Sequence, residues 1–183
     1  MNKSELSLYL VTDRGNLSDQ DFLTKIEQAI LGGVTCVQLR EKELSSRAFY
    51  ELAIQVKAVT DRYHIPFLIN DRLDIALAVN ASGVHLGQSD LPVAVARHLL
   101  GLDKLIGISA KTVAQALAAQ AGGADYLGVG AMFPTTTKVI TQETTRETLM
   151  AIAETVQLPV VAIGGISKAN RHQLIGTGIA GIA

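Results

Sequence analysis

The chain has 183 residues, enough for one domain with a sizeable buried core, and its 48% hydrophobic and 18% charged content excludes a disordered polymer. A formal net charge of −1 excludes a broad basic field for nucleic acid or membrane, and one cysteine, Cys36, excludes an internal disulfide framework. No apolar stretch approaches the roughly 20 residues that span a bilayer, and the polar start Met1-Asn2-Lys3-Ser4-Glu5 is no signal peptide, so the expected compartment is the cytoplasm.

Seven short apolar runs follow in order, each ending in polar, glycine-rich or charged residues and each succeeded by a helical pattern. Strands are predicted at 7–12, 34–40, 66–70, 83–86, 105–109, 125–130 and 159–163. Helices are predicted at 19–32, 45–63, 72–80, 91–100, 112–122, 144–157 and 168–176. The strands are rich in Val, Ile and Leu, as in a parallel sheet buried on both faces whose helices carry the chain back between strands. Ser18, Ser45 and Thr112 are N-cap candidates, and Gly32-Gly33, Gly101 and Gly122-Gly123 are stop signals. Pro66 and Pro159 stand where a strand begins and a missing N–H is tolerated. The longest irregular stretch, Ala131 to Glu143, follows strand six, and a loop of that size in a compact domain is usually functional.

The fold class is therefore α/β, a (β/α)8 TIM barrel, with residues 1–183 as a single domain. Eight such units usually need about 200 residues or more. Here seven are complete, and Gly178-Ile179-Ala180-Gly181-Ile182-Ala183 reads as the opening of an eighth strand. The expectation is a fragment truncated within strand eight, lacking the end of that strand and the last helix. Its seam between strands one and eight would then be unpaired.

In such a barrel the chemistry sits at the C-terminal ends of the strands. Asn70-Asp71 and Asp90 follow strands three and four, so two carboxylates can approach one mouth. Two carboxylates without a Cys or His cluster suit Mg²⁺, which takes few carboxylates plus water and phosphate oxygens. Local sequence alone favours a plainer role for both, as caps of helices three and four. On strand two, Gln38, Arg40 and Lys42 alternate with Leu39 and Glu41, and the period of two aims them together. Two cations at a strand end suit a phosphate or pyrophosphate; a solvated charged rim is the alternative. Thr135-Thr136-Thr137-Lys138 adds three hydroxyls and a cation, Ser109 ends strand five, and Gly164-Gly165 ends strand seven with room for backbone N–H groups near a phosphate. An ordinary Thr-rich loop, a helix-entry serine and a tight turn are the competing accounts. His85 reads as a satisfied barrel residue rather than a base. No nucleophile–histidine–carboxylate set and no zinc spacing is present.

Taken together, these segments closely resemble the thiamine phosphate synthase (thiamine-phosphate pyrophosphorylase) family. The match runs in order through Leu8 to Asp13, Gln38 to Lys42, Ile69-Asn70-Asp71, Gly83 to Asp90, Ile106 to Ser109, Phe133 to Lys138 and Ile163 to Ile166. The resemblance implies a transferase of thiamine biosynthesis that joins a pyrimidine pyrophosphate to a thiazole phosphate and releases pyrophosphate. It places Gln38, Leu39, Arg40, Glu41, Lys42, Asn70, Ser109 and Lys138 on the pyrimidine pyrophosphate, with Lys138, Ser109 and Arg40 as catalytic groups. It places Asp71 and Asp90 on Mg²⁺, and Thr135, Thr136, Thr137 and Gly165 on the thiazole phosphate. A Val-Ser pair of strand eight, used by the family for that phosphate, would lie beyond Ala183. The implied partners are these small molecules, with neither nucleic acid nor membrane, and the oligomeric state stays open.

Two rival readings remain. A thiazole tautomerase of the same fold needs a proton shuttle, such as a histidine, and no Mg²⁺. Here Ala110-Lys111-Thr112 follows Ser109 without a histidine, while both carboxylates and Lys138 are present. The other rival is an inactive fragment that binds a phosphate ligand without turnover.

Overall fold

The computed structural model describes residues 3–135 and 143–183. Its centre is one parallel sheet of eight strands in sequence order. These are β1 (Tyr9–Val11), β2 (Cys36–Leu39), β3 (Phe67–Asn70), β4 (Gly83–Leu86), β5 (Leu105–Ala110), β6 (Tyr126–Val129), β7 (Val160–Ala162) and β8 (Gly181–Ile182). Among the described residues, six α-helices cross between them: α1 (Asp19–Leu31), α2 (Ser46–Arg62), α3 (Leu73–Ala78), α4 (Val93–Leu100), α5 (Val113–Ala121) and α6 (Arg146–Thr155). The expected α/β barrel is thus borne out, strand by strand.

The seam differs from expectation. β8 pairs with β7 through Val161–Gly181 and Ala162–Ile182, and Leu8 and Ile182 form a parallel bridge. The Ile182 N–H donates to the Ser7 carbonyl at 3.3 Å. Short as it is, β8 carries the sheet round to the residues just before β1.

Helix starts follow local chemistry. Ser18, Ser45 and Thr112 each accept a hydrogen bond from the backbone N–H three residues on, as N-caps do, and Thr145 does the same for α6. α3 and α4 start without a side-chain cap, from Arg72 and Pro92. The helix expected at 168–176 is only a 3₁₀ turn, Arg171–Leu174. The reason is local competition: Asn170 accepts from the Ser167 N–H at 2.7 Å and donates to the Gly165 carbonyl at 2.8 Å. Downstream, Gly176 and Gly178 both take left-handed φ and end any helical path.

Strand residues alternate strictly between two apolar layers. Val37, Leu39, Phe67, Ile69, Ile106, Leu127, Val160 and Ala162 face outward and pack against helix residues such as Phe22, Phe49, Leu52, Leu149 and Ile152. Tyr9, Cys36, Leu68, Tyr126 and Val161 face inward and fill the barrel with Leu6. Burial pushes the Cys36 thiol up, so it packs as a small apolar group.

At the N-terminal ends of β5 and β6, the Arg97 guanidinium ties the floor together. It donates to the carbonyls of Gly101, Lys104 and Gly123 and pairs with Asp125 at 2.6 Å. Asp125 in turn accepts from the Ile106 N–H at 2.7 Å. Removing this one side chain takes a donor from three carbonyls and the counter-charge from a half-buried carboxylate, which keeps the Ile106 N–H. Arg97→Ala is expected to destabilise the fold by about 2–4 kcal/mol in urea denaturation. Lys57→Ala, which removes an exposed helical pair with Asp61, is expected to cost less than about 0.5 kcal/mol. Equal effects of the two substitutions would contradict this account of the floor.

Candidate active site

Inside the barrel, a chain of hydrogen bonds runs from β2 to β5. Gln38, buried in β2, donates from Nε2 to the Tyr9 hydroxyl at 2.7 Å. The Tyr9 and Tyr126 hydroxyls lie 2.8 Å apart. Tyr126 meets His85 Nδ1 at 2.8 Å, and His85 Nε2 meets the Ser109 hydroxyl at 2.9 Å. Desolvation is the main cause that holds both phenols well above the ordinary phenol range, so both stay protonated. Neighbouring strands leave room for the rings. A Cβ on Gly107 would sit 2.2 Å from the Tyr126 hydroxyl oxygen, and one on Gly128 would sit 3.0 Å from His85 Cε1. Ser109 lies where this chain reaches the mouth, and its carbonyl accepts from Gln88 Nε2 at 2.7 Å.

Asp71 and Asp90 come together above β3 and β4, and neither caps a helix. Asp71 turns sharply, at φ 62, with its N–H donated to the His85 carbonyl at 2.9 Å. Aspartate tolerates this left-handed backbone better than most residues, and the bend aims its carboxylate at the mouth. Asp90 accepts from the Gly87 N–H at 2.6 Å. Burial, with the nearby Asp71 carboxylate adding to it, raises the Asp90 carboxyl above its usual range. The Lys42 ammonium pairs with Asp71. Two carboxylates close enough to repel, one already drawing a cation, form a donor set that suits a hard divalent ion completed by water and phosphate oxygens. Among the described residues no cluster of three or more His, Cys, Asp or Glu offers a rival metal site.

The remaining sequence-derived residues fall around this centre. Arg40, Glu41 and Lys42 line a cleft of about 580 Å³ with Asp13, Arg14 and Asn16 from the β1 loop. The Arg40 N–H donates to Thr12 Oγ1 at 3.0 Å, which ties the two strand ends together. Desolvation raises the Glu41 carboxyl, although Arg14 opposes it, and Glu41 Oε1 is buried without a hydrogen-bond partner. Leu39 packs outward beneath the helices, so only its backbone can face a ligand. Asn70 is buried at the end of β3. Thr135 lies on the β6 loop, while Thr136, Thr137 and Lys138 lie outside the described residues. Gly165, at φ 65, sits against the Phe133 and Pro134 carbonyls; a Cβ there would come within 2.7 and 2.4 Å of them. The β6 and β7 loops can therefore nest only with glycine at that place.

Sequence reasoning did not find Tyr9 and Tyr126, which read as apolar strand residues. The available signal was parity: Tyr9 lies two residues before Val11, which pairs with inward-facing Gln38, and Tyr126 pairs with Gly107 beside His85.

A (β/α)8 barrel whose mouth gathers paired carboxylates, lysine and arginine beside glycine-bearing loops belongs to the phosphate-handling barrel enzymes. Comparison narrows the class. The family model for thiamine monophosphate synthase matches residues 8–183. The chain is 58% identical to a thiamine-phosphate synthase of Enterococcus faecalis, over 99% of this chain and 85% of that protein. It is 55% identical to thiamine-phosphate synthase 2 of Streptococcus pneumoniae, over 100% of this chain and 87% of that protein. Among solved structures, a thiamine phosphate pyrophosphorylase from Pyrococcus furiosus superposes with a TM-score of 0.87 at 40% identity, covering 99% of this chain and 86% of that one. The chain belongs to the thiamine monophosphate synthase family.

The glycine that makes room for Tyr126 offers a direct check on the interior chain. Gly107→Ala forces the ring away from Tyr9 and His85 and is expected to cost about 1–3 kcal/mol in chemical denaturation. Stability unchanged from wild type would show that the ring does not need that space.

Proposed function

We propose that this chain condenses 4-amino-2-methyl-5-(diphosphomethyl)pyrimidine with 4-methyl-5-(2-phosphoethyl)thiazole, or its carboxylated form, giving thiamine phosphate and pyrophosphate. It is a transferase, and the family match over residues 8–183 is the observation that carries the reading. The geometry agrees with it: an anion site, a carboxylate pair and a polar barrel interior converge on one mouth.

The aminopyrimidine is electron-rich and can stabilise a positive methylene carbon. The C–O bond to the diphosphate breaks with its electron pair leaving on pyrophosphate, and the thiazole nitrogen lone pair then forms the new C–N bond. No protein nucleophile is needed. The residues must hold two reactants in line and stabilise charge as it develops on the leaving group. Arg40 and Lys42 from the β2 end, with Lys138, supply that charge, and Ser109 and Asn70 orient the pyrimidine diphosphate with Gln38. Thr135, Thr136, Thr137 and the Gly165 backbone receive the thiazole phosphate. Asp71 and Asp90 would hold Mg²⁺, which when bound neutralises phosphate oxygens. Lys42 rests on Asp71 and, with Mg²⁺ held there, would be available to the diphosphate. The same reading places the enzyme in the cytoplasm, in keeping with a single cysteine that is buried as a thiol.

The tautomerase reading is not favoured. Among the described residues the histidine that meets Ser109 is His85, whose ring nitrogens hydrogen-bond Tyr126 and Ser109.

The test is pyrophosphate release with both substrates and Mg²⁺. Asp71→Asn keeps a residue that tolerates the left-handed bend, so the variant is expected to fold. It and Lys138→Ala should each lower kcat by about 10²- to 10³-fold, the scale of one lost charge-stabilising contact of about 2–4 kcal/mol. Chelation of Mg²⁺ should stop release in the wild type. Wild-type rates in both variants with unchanged circular dichroism would overturn the assignment.

A further inference from the structure

The interior hydrogen-bond chain has a direction. Gln38 donates from Nε2 to Tyr9, the Tyr9–Tyr126 bond can run either way, and the direction from Tyr9 to Tyr126 is the one that leaves Tyr126 its own proton for His85. Tyr126 then spends that proton on His85 Nδ1. A ring that accepts at Nδ1 carries its proton on Nε2, which faces the Ser109 oxygen. With its oxygen thus occupied as an acceptor, the Ser109 hydroxyl points its proton elsewhere. The open side is the mouth, where Gln88 already braces the Ser109 carbonyl.

We propose that Tyr9, Tyr126 and His85 are positioning residues whose relay fixes His85 in its Nε2–H tautomer and so presents the Ser109 proton to an oxyanion at the mouth. The proposal rests on the reading that Ser109 faces the diphosphate, and it assigns a task to three residues that the proposed reaction leaves without one. Burial keeps the two phenols protonated, so the relay cannot lose its direction by ionising at its centre. Gly107 and Gly128 belong to the same arrangement, because any Cβ there would push into the Tyr126 or His85 ring. A structural filler of the barrel would need apolar rings only; phenylalanine at both tyrosine positions would meet that need without two hydroxyls to satisfy.

Two measurements on the chain test this. The first is the tautomer of His85 from ¹⁵N shifts of its ring nitrogens, readily assigned because the chain has four histidines. Wild type should show Nε2 protonated and Nδ1 bare, and Tyr126→Phe should shift the ring toward a mixture. The second is binding of inorganic pyrophosphate with Mg²⁺ by calorimetry. Tyr126→Phe should weaken it roughly 5- to 10-fold, near the net value of one hydrogen bond. In a Ser109→Ala background the same substitution should change affinity less than about 2-fold, because the relay acts through that hydroxyl. An Nδ1–H tautomer in the wild type overturns the proposal without any variant. So does a Tyr126→Phe effect that multiplies unchanged onto Ser109→Ala. Neither measurement needs turnover: a chain showing the tautomer and the coupling but releasing no pyrophosphate from the pyrimidine substrate would keep the relay and lose the proposed reaction.

Discussion

Two phenol hydroxyls lie in the barrel interior away from solvent, and the strands around them are arranged so that both are satisfied. A buried hydroxyl without a partner costs about 1–3 kcal/mol, enough to matter against the few kcal/mol that keep a domain folded. That demand turns Gln38 and His85 inward, each beside the phenol it meets. It also holds register. A slip of one residue would bring Leu39 and Leu86 into the barrel and send Gln38 and His85 into the apolar layer under the helices. Glycine at 107 and 128 follows from the same constraint, since the rings take the volume a side chain would need.

From that interior the site rises to one side. Ser109 ends the hydrogen-bond chain at the top of β5, and Gln88 links the β4 loop to it. The carboxylates stand one strand away, with Asp71 tethered by its N–H to the His85 carbonyl. His85 therefore supports both halves of the mouth, through its ring on β5 and through its backbone on β3. The floor is built differently: Arg97 and Asp125 satisfy carbonyls and one N–H of the backbone. Stability gathers at the N-terminal ends of the strands and chemistry at the other, as barrel geometry allows.

Much of this was legible in order along the chain. Helix starts were read from Ser18, Ser45 and Thr112 because a cap bond spans three residues and needs no distant partner. The same local logic misled at Asp71 and Asp90, which precede helical patterns yet cap neither α3 nor α4. Asp90 is taken instead by the Gly87 N–H and Asp71 by Lys42, a residue 29 positions earlier in the chain. At 168–176 the strand-then-helix repeat points to a helix, but Asn170 offers the backbone competing bonds. Leu39, grouped with its polar neighbours by position, faces the helices because alternation puts it on the other side of the sheet from Gln38.

Strand order, helix boundaries and the loops that carry charge depend on spacing over a few residues, and the amino-acid order was enough to place them. The partners of the interior polar atoms depend on strands far apart in the chain. Tyr9 and Tyr126 are separated by 117 positions and meet only because eight parallel strands close round a small interior. Read singly, each is an aromatic residue in an apolar strand. Brought within 2.8 Å of each other and joined to Gln38 and His85, they become the polar centre on which Ser109 stands.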